Sequence, residues 1–116
     1  MVNKSYNFNM WNITNFTKQI DMPVIGMIHL RALPGSPGWD NDFDAVMNAA
    51  IADADALVEG GVGALMMENY YDVPFFRTKV PPITVASMTK IAVSVRNRHP
   101  AIPLGINVLR NDVESA

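Results

Sequence analysis

The chain has 116 residues, a formal net charge of −2 at pH 7, 49% hydrophobic residues and no cysteine. This length fits one domain, the apolar content excludes a largely disordered chain, and the lack of cysteine excludes disulfides and thiolate sites. The near-neutral charge gives no electrostatic reason to expect nucleic acid as a partner, and no apolar run approaches the ~20 residues of a membrane-spanning helix, so we expect a soluble intracellular protein.

The first twenty residues differ from the rest of the chain. They are rich in asparagine and carry only Lys4 and Lys18 as charges. They lack the apolar core of a secretory signal and the arginine of a typical mitochondrial presequence, so we expect a cytoplasmic location and leave the mitochondrion open. We interpret residues 1–22 as an extension whose apolar residues form a short amphipathic helix that closes one end of the following sheet: Trp11, Ile13, Phe16 and Ile20.

From residue 23 onward, short apolar runs alternate with segments of helical periodicity. Asp40 and Asp42 offer carboxylates to cap the first helix. Gly60 and Gly61 end that helix, and Pro100 ends the second. The order β-α-β-α-β, with nearly continuous apolar strands, predicts a parallel sheet joined by right-handed crossovers. Strands are predicted at 23–30, 64–69 and 103–109, and helices at 43–58 and 84–98.

The period of two along each strand separates two faces of the sheet. One face carries large aliphatic side chains that suit packing under the helices, whereas the other is apolar at the strand starts and polar at the strand ends. His29, Glu68 and Asn107 follow one another at intervals of 39 residues, so each occupies the same place in its unit. Parallel α/β proteins hold their sites at the carboxyl ends of the strands, where we expect these three side chains to converge.

A polar rim on the face away from the helices favours the mouth of a (β/α)8 barrel. A doubly wound sheet would carry helices, and therefore aliphatic side chains, on both faces. A full barrel takes ~250 residues, and this sequence holds two complete units and a third strand. Asn111 and Asp112 also offer a cap to a third helix that residues 113–116 only begin. We therefore expect residues 23–116 to be the first part of a longer TIM barrel.

Several unusual strings occur together and in order after residue 22, and they resemble the opening third of the BtpA/SgcQ family. The strings are PVIGMIHLRALPGSPGW (23–39), DALVEGGVGALMMENYYDVPFF (55–76), VPPITVASMTKIAVSVR (80–96) and PLGINVLRNDVESA (103–116). The resemblance implies a TIM barrel similar to the ribulose-phosphate-binding barrels. Family members carry names that refer to photosystem I biogenesis, to a sugar-metabolism gene region or to phosphoribosylanthranilate isomerase. Arg31 and the pair Met66-Met67 depart from the family's usual residues, but neither belongs to the polar rim.

Glu68 and His29 are the candidate catalytic residues. A carboxylate that ends an apolar strand is costly to bury alone, so Glu68 implies a partner, a metal or a ligand. The structural alternative is an ion pair with Arg110 or His29. An imidazole at the rim suits general acid–base catalysis or metal ligation. Its structural alternative is a core histidine bonded to a backbone carbonyl.

Residues at the ends of the second and third strands, and in the loops that follow them, are the candidate substrate-binding groups. For Asn69 an Asx turn is the alternative, and for Arg110, which suits a phosphate or carboxylate, a surface pair with Glu114 is the alternative. Phe75 and Phe76 either cover a ligand or pack on the neighbouring loop. The sequence assigns no metal ligands and does not determine whether a metal or another cofactor is bound. The candidate set is Asn69, Asp72, Asn107, Arg110 and Asn111.

Three functional hypotheses follow from these observations. The first is a TIM-barrel protein that binds a small sugar-derived or phosphorylated molecule and acts on it by acid–base or metal-assisted chemistry, as an isomerase, lyase or hydrolase. The second is a non-catalytic assembly or stability factor of the photosystem-biogenesis kind. The third is an inactive fragment, which would fold by associating with copies of itself or with a complementing segment.

Overall fold

The computed structural model describes residues 24–116. The predicted extension at 1–22, its amphipathic helix and its boundary lie outside the described residues. Within the described part of the chain, no helix has the length and apolar character needed to cross a membrane. The elements, in chain order, are β1 (Ile25–His29), α1 (Phe43–Glu59), β2 (Ala64–Glu68), α2 (Pro82–Arg98) and β3 (Leu104–Asn107).

The predicted β-α-β-α-β order is confirmed, and the three strands form one parallel sheet in the order β1-β2-β3. Within residues 24–116, each strand is shorter than predicted. Helix α2 begins two residues earlier than predicted, since Pro82 occupies its first turn, where a missing N–H costs nothing. The register pairs His29 with Glu68 and Glu68 with Asn107. The predicted row of three polar residues is therefore present at the carboxyl ends of the strands.

The two faces of the sheet differ in burial, as the period of two predicts. On β1, Ile28 is fully buried, whereas Ile25 is 47% and Met27 41% exposed. Gly26 also lies on the helix face, where an added Cβ would come within 2.9 Å of the Leu57 side chain of α1. One hydrophobic core joins both helices to this face, and its buried members include Ile28, Leu65, Met67, Val46, Ala50, Ala54, Met88, Ile91 and Val95.

Both ends of α1 are satisfied by local hydrogen bonds. Asp42 is the N-cap, and its carboxylate accepts from the Ala45 N–H at 2.9 Å. At the other end Gly61, with φ of +88°, donates to the Val58 carbonyl, and Val62 donates to that of Leu57. This is the Schellman arrangement, which needs a left-handed residue and therefore favours glycine.

The C-terminus of α2 is bonded to α1 through Asp55. Its carboxylate accepts from Arg98 Nε and Nη2, each at 2.7 Å, and lies 2.8 Å from His99 Nε2. The hydrogen bonds from Arg98 are the main reason that the pKa of Asp55 falls from 3.8 to about 2. The contribution of this carboxylate to stability is thus present above pH 3.8 and is lost as the pH falls towards 2.

Substitution of two isoleucines on the same strand tests the assignment of the two faces. We expect Ile28→Ala to lower the free energy of unfolding by about 2–5 kcal/mol, because it opens a cavity in the core. The matched control Ile25→Ala, on the exposed face, should change it by about 0.5 kcal/mol. Chemical denaturation of the full chain measures both values, and equal losses would contradict the assignment.

Candidate functional site

A carboxylate, an imidazole and an amide meet at the carboxyl ends of the strands. Glu68 lies in the centre of the row, and its Oε1 accepts a hydrogen bond of 2.5 Å from Asn107 Nδ2. Its Oε2 lies 3.4 Å from His29 Nε2. Of the two ion-pair partners expected for Glu68, the structure brings His29 into contact. Residues 24–116 contain no ion pair between Arg110 and either Glu68 or Glu114.

The members of the row differ in their access to solvent. The side chain of Glu68 is 12% exposed, whereas that of His29 is 40% exposed. Asn107 is exposed as well. A mostly buried carboxylate is therefore held between two accessible polar groups. The imidazole and the amide are therefore accessible to a ligand. Each carboxylate oxygen of Glu68 has a protein partner, Asn107 for Oε1 and His29 for Oε2.

Two tyrosines beside the row were not predicted as part of the site. The Tyr70 ring stacks on the His29 ring, with 4.2 Å between the centroids and 13° between the planes. Tyr71 meets Tyr70 edge-on at 5.2 Å. Both tyrosines are exposed, at 44% and 53%. A signal was present in the sequence, since two consecutive aromatic residues follow the end of a buried strand.

Asn69 and Asp72 connect the three loops that follow the strands. Asn69 is 1% exposed, accepts from the Leu109 N–H at 2.7 Å and donates to the Leu109 carbonyl at 3.2 Å. Its Nδ2 also lies 3.3 Å from Asp72 Oδ2, and Asp72 Oδ1 accepts from the Leu33 N–H at 2.7 Å. We call this pair the loop bridge. It includes the turn from Asn69 to Asp72, because the Asp72 N–H donates to the Asn69 carbonyl.

Asp72 also lines a cavity of about 320 Å³ between the loops after β1 and β2. Phe75 and Phe76 form part of the wall of this cavity. Burial is the main cause that raises the pKa of the Asp72 carboxyl above 3.8, and the hydrogen bonds from Leu33 and Asn69 oppose it. The cost of burying this carboxylate is thus offset by the backbone and amide groups that it joins.

The remaining predicted residues lie in a cleft beside β3. Asn107, Arg110 and Asn111 line this cleft, whose volume is about 530 Å³. Arg110 and Asn111 are exposed. Residues 113–115 form a turn and not the predicted start of a third helix, and within this turn the Asp112 carboxylate accepts from the Ser115 N–H at 3.2 Å. Asp112 also accepts from the Val80 N–H at 2.8 Å, which joins this loop to the one before α2.

The predicted site residues therefore fall into two groups. The structure brings together Glu68, His29 and Asn107, and the cleft with Arg110 and Asn111 shares Asn107 with that row. The loop bridge lies between the loops, with the polar atoms of Asn69 occupied by protein groups. Among residues 24–116, no three His, Asp or Glu side chains are grouped so as to hold a metal ion.

The fold and the row define an α/β protein whose polar groups gather at the carboxyl edge of a parallel sheet. The chain belongs to the BtpA family, whose model matches residues 20–116. The resemblance seen in the sequence is thereby confirmed. No solved structure matches the chain significantly.

Curated relatives agree with this assignment. The chain is 49% identical over 90 residues to an uncharacterised protein of Thermococcus kodakarensis, covering 78% of this chain and 34% of the relative. It is 45% identical over 100 residues to the photosystem I biogenesis protein BtpA of Synechocystis, covering 86% and 34%. It is 43% identical over 94 residues to the putative sgc region protein SgcQ of Escherichia coli, covering 79% and 34%. The chain spans about a third of the length of these relatives.

Loss of the loop bridge should destabilise the protein more than loss of a surface amide. We expect Asn69→Ala to lower the free energy of unfolding by about 1–3 kcal/mol, because the Leu109 backbone groups lose their partners. The matched control Asn48→Ala, on the exposed side of α1, should change it by no more than about 0.5 kcal/mol. Urea denaturation of the full chain compares the two variants. Equal stability of both would show that the bridge contributes nothing.

Proposed function

We propose that this chain contributes the acid–base part of a site that binds a small sugar-derived or phosphorylated molecule. The observation that carries the proposal is the contact between Glu68 Oε2 and His29 Nε2 at 3.4 Å, in a row at the carboxyl ends of parallel strands. Sites of α/β proteins occupy this edge. A carboxylate and an imidazole side by side can accept a proton at one substrate atom and supply one at another.

The three residues of the row suggest separate roles. Glu68 would remove a proton from a carbon next to a carbonyl group, and His29 would deliver a proton to the carbonyl oxygen. Where that carbon also carries a hydroxyl group, the result is an enediol. The protonated Glu68 then returns its proton to the former carbonyl carbon while His29 takes the proton of the other hydroxyl, which becomes the new carbonyl, and the isomerisation is complete. Asn107 holds Glu68 Oε1 and, being exposed, also suits the orientation of a substrate oxygen. Lyase or hydrolase chemistry would use the same pair, and a bound metal would add polarisation of the carbonyl.

Arg110 supports the choice of a phosphorylated ligand. Its guanidinium is exposed in the cleft that also contains Asn107 and Asn111, next to the row. Guanidinium groups bind phosphate and carboxylate through paired hydrogen bonds. A sugar phosphate with its carbonyl end at Glu68 and its anionic end at Arg110 is therefore the substrate class that this edge favours.

We also propose that these strands form the first part of a (β/α)8 barrel. Support comes from the three parallel strands with helices on one face and from relatives of which the match covers 34%. Barrel phosphate sites are frequently built by the loops after strands seven and eight. The 116-residue chain by itself would therefore bind ligand weakly and lack turnover. Within the part of the chain that the structure describes, β1 and β3 are the edge strands of the sheet, and such edges favour association with a second copy.

A non-catalytic role is the second candidate. One relative is named as a photosystem I biogenesis protein, and exposed side chains such as Phe76 and Arg77 lie on the loop after β2. An assembly or stability factor would contact its partner through such loops. Under this alternative, Arg77→Glu and Phe75→Ala impair function more than changes to the row do.

Ligand titration tests the acid–base proposal directly. The isotope-labelled full chain is titrated with ribose 5-phosphate and glycerol 3-phosphate while NMR follows the amide resonances. We expect shifts at His29, Glu68 and Asn107, and at least an approximately tenfold weaker affinity in Glu68→Gln, since hydrogen bonds to a charged group are lost.

The matched control for this titration is Glu59→Gln, at the exposed end of α1, which should bind as the unmodified chain does. Arg110→Gln should weaken binding of ribose 5-phosphate and leave binding of ribose unchanged. Equal affinities in Glu68→Gln and Glu59→Gln would overturn the proposal.

A further inference from the structure

We propose that Tyr70 is the positioning residue for His29: the stacked tyrosine ring holds the imidazole in the orientation in which Nε2 faces Glu68. The consequence for ligand binding rests on the proposed function, whereas the geometry stands without it. Tyr70 occurs in none of the predicted site sets.

The backbone places Tyr70 beside His29. Tyr70 comes two residues after Glu68, in the turn that follows β2. The pairing of the two strands extends beyond their ends, because the Leu30 N–H donates to the Glu68 carbonyl at 2.9 Å and the Tyr71 N–H donates to the Leu30 carbonyl at 3.4 Å. On its other side Tyr70 follows Asn69, which is held by Leu109. Both neighbours of Tyr70 are thus anchored.

The stack on Tyr70 adds a restraint to the polar contact that His29 makes with Glu68. The imidazole is 40% exposed, and its polar contact with Glu68 is long, at 3.4 Å. One such contact does not fix rotation about the bond to the ring, since this torsion of histidine is broad. A ring parallel within 13°, at a centroid distance of 4.2 Å, restricts that rotation to one plane. Stacked ring pairs at this distance are favourable beyond the area that they bury.

A second tyrosine, Tyr71, contacts the ring of Tyr70. It meets Tyr70 edge-on, with 84° between the ring planes and 5.2 Å between the centroids. The positive edge of one ring against the negative face of another is a favoured geometry. The ring of Tyr70 therefore contacts two other rings, those of His29 and Tyr71. These contacts use ring faces and edges, so the proposal requires an aromatic ring at position 70 and does not require its hydroxyl.

The test compares Tyr70→Leu with Tyr70→Phe in the full chain. NMR at fixed pH records the imidazole Hδ2 and Hε1 resonances of His29, which the ring current of a stacked neighbour moves upfield. We expect Tyr70→Leu to move them downfield and Tyr70→Phe to leave them unchanged.

The affinity for ribose 5-phosphate should fall about two- to tenfold in Tyr70→Leu and be retained in Tyr70→Phe. The matched control is Val93→Ala, at an exposed position of α2, which should leave both readings unchanged.

Each result either supports or overturns the proposal. Unchanged His29 resonances in Tyr70→Leu, or equal changes in both Tyr70 variants, would overturn it. If Tyr70→Leu does not fold, nuclear Overhauser contacts between the two rings of the unsubstituted chain decide: their presence supports the stack, and their absence contradicts it. Normal binding in Glu68→Gln together with the expected His29 shifts would refute the proposed function and leave the positioning role of Tyr70 intact.

Discussion

The parallel register of the three strands is the constraint on which the candidate site depends. Side chains alternate between the faces of a sheet, so a slip of one residue would turn Glu68 towards the helices and Met67 towards the rim. The register is specified by the core, because Ile28, Leu65 and Met67 fill the space under both helices. Burial of the aliphatic face thereby determines which polar groups meet at the rim. The alternation of side chains therefore links the stability of the core on one face to the composition of the candidate site on the other.

Side-chain hydrogen bonds between the loops also hold the segments around the candidate site together. Asn69 and Asp72 join the segments after all three strands, and Asp112 joins the loop before α2 to the segment after β3. These side chains replace backbone hydrogen bonds that irregular segments cannot make among themselves. Burial raises the pKa of Asp72, in contrast to Asp55, whose pKa is lowered by Arg98. The two carboxylates show that the same residue type connects loops at one place and helices at another.

Much of this architecture follows from the sequence. Helical and strand periodicities, the acidic cap at Asp42 and the two glycines after α1 predict the elements, and the equal spacing of His29, Glu68 and Asn107 predicts their row. The stack of Tyr70 on His29 and the binding of Leu109 by Asn69 could not be predicted. These contacts join residues that are 40 or 41 positions apart in the chain, and no periodic pattern in the sequence indicates them. The pairing of Asp55 with Arg98 depends likewise on how α1 and α2 are placed side by side.

A direct measurement of the register tests the central claim. Scalar couplings across hydrogen bonds, recorded by NMR on the isotope-labelled full chain, identify which amide donates to which carbonyl. For the parallel register described above, we expect a coupling from the Leu30 amide to the Glu68 carbonyl and another from the Leu65 amide to the Pro103 carbonyl. Couplings displaced by one residue, or antiparallel pairing, would separate the imidazole, the carboxylate and the amide and contradict the account.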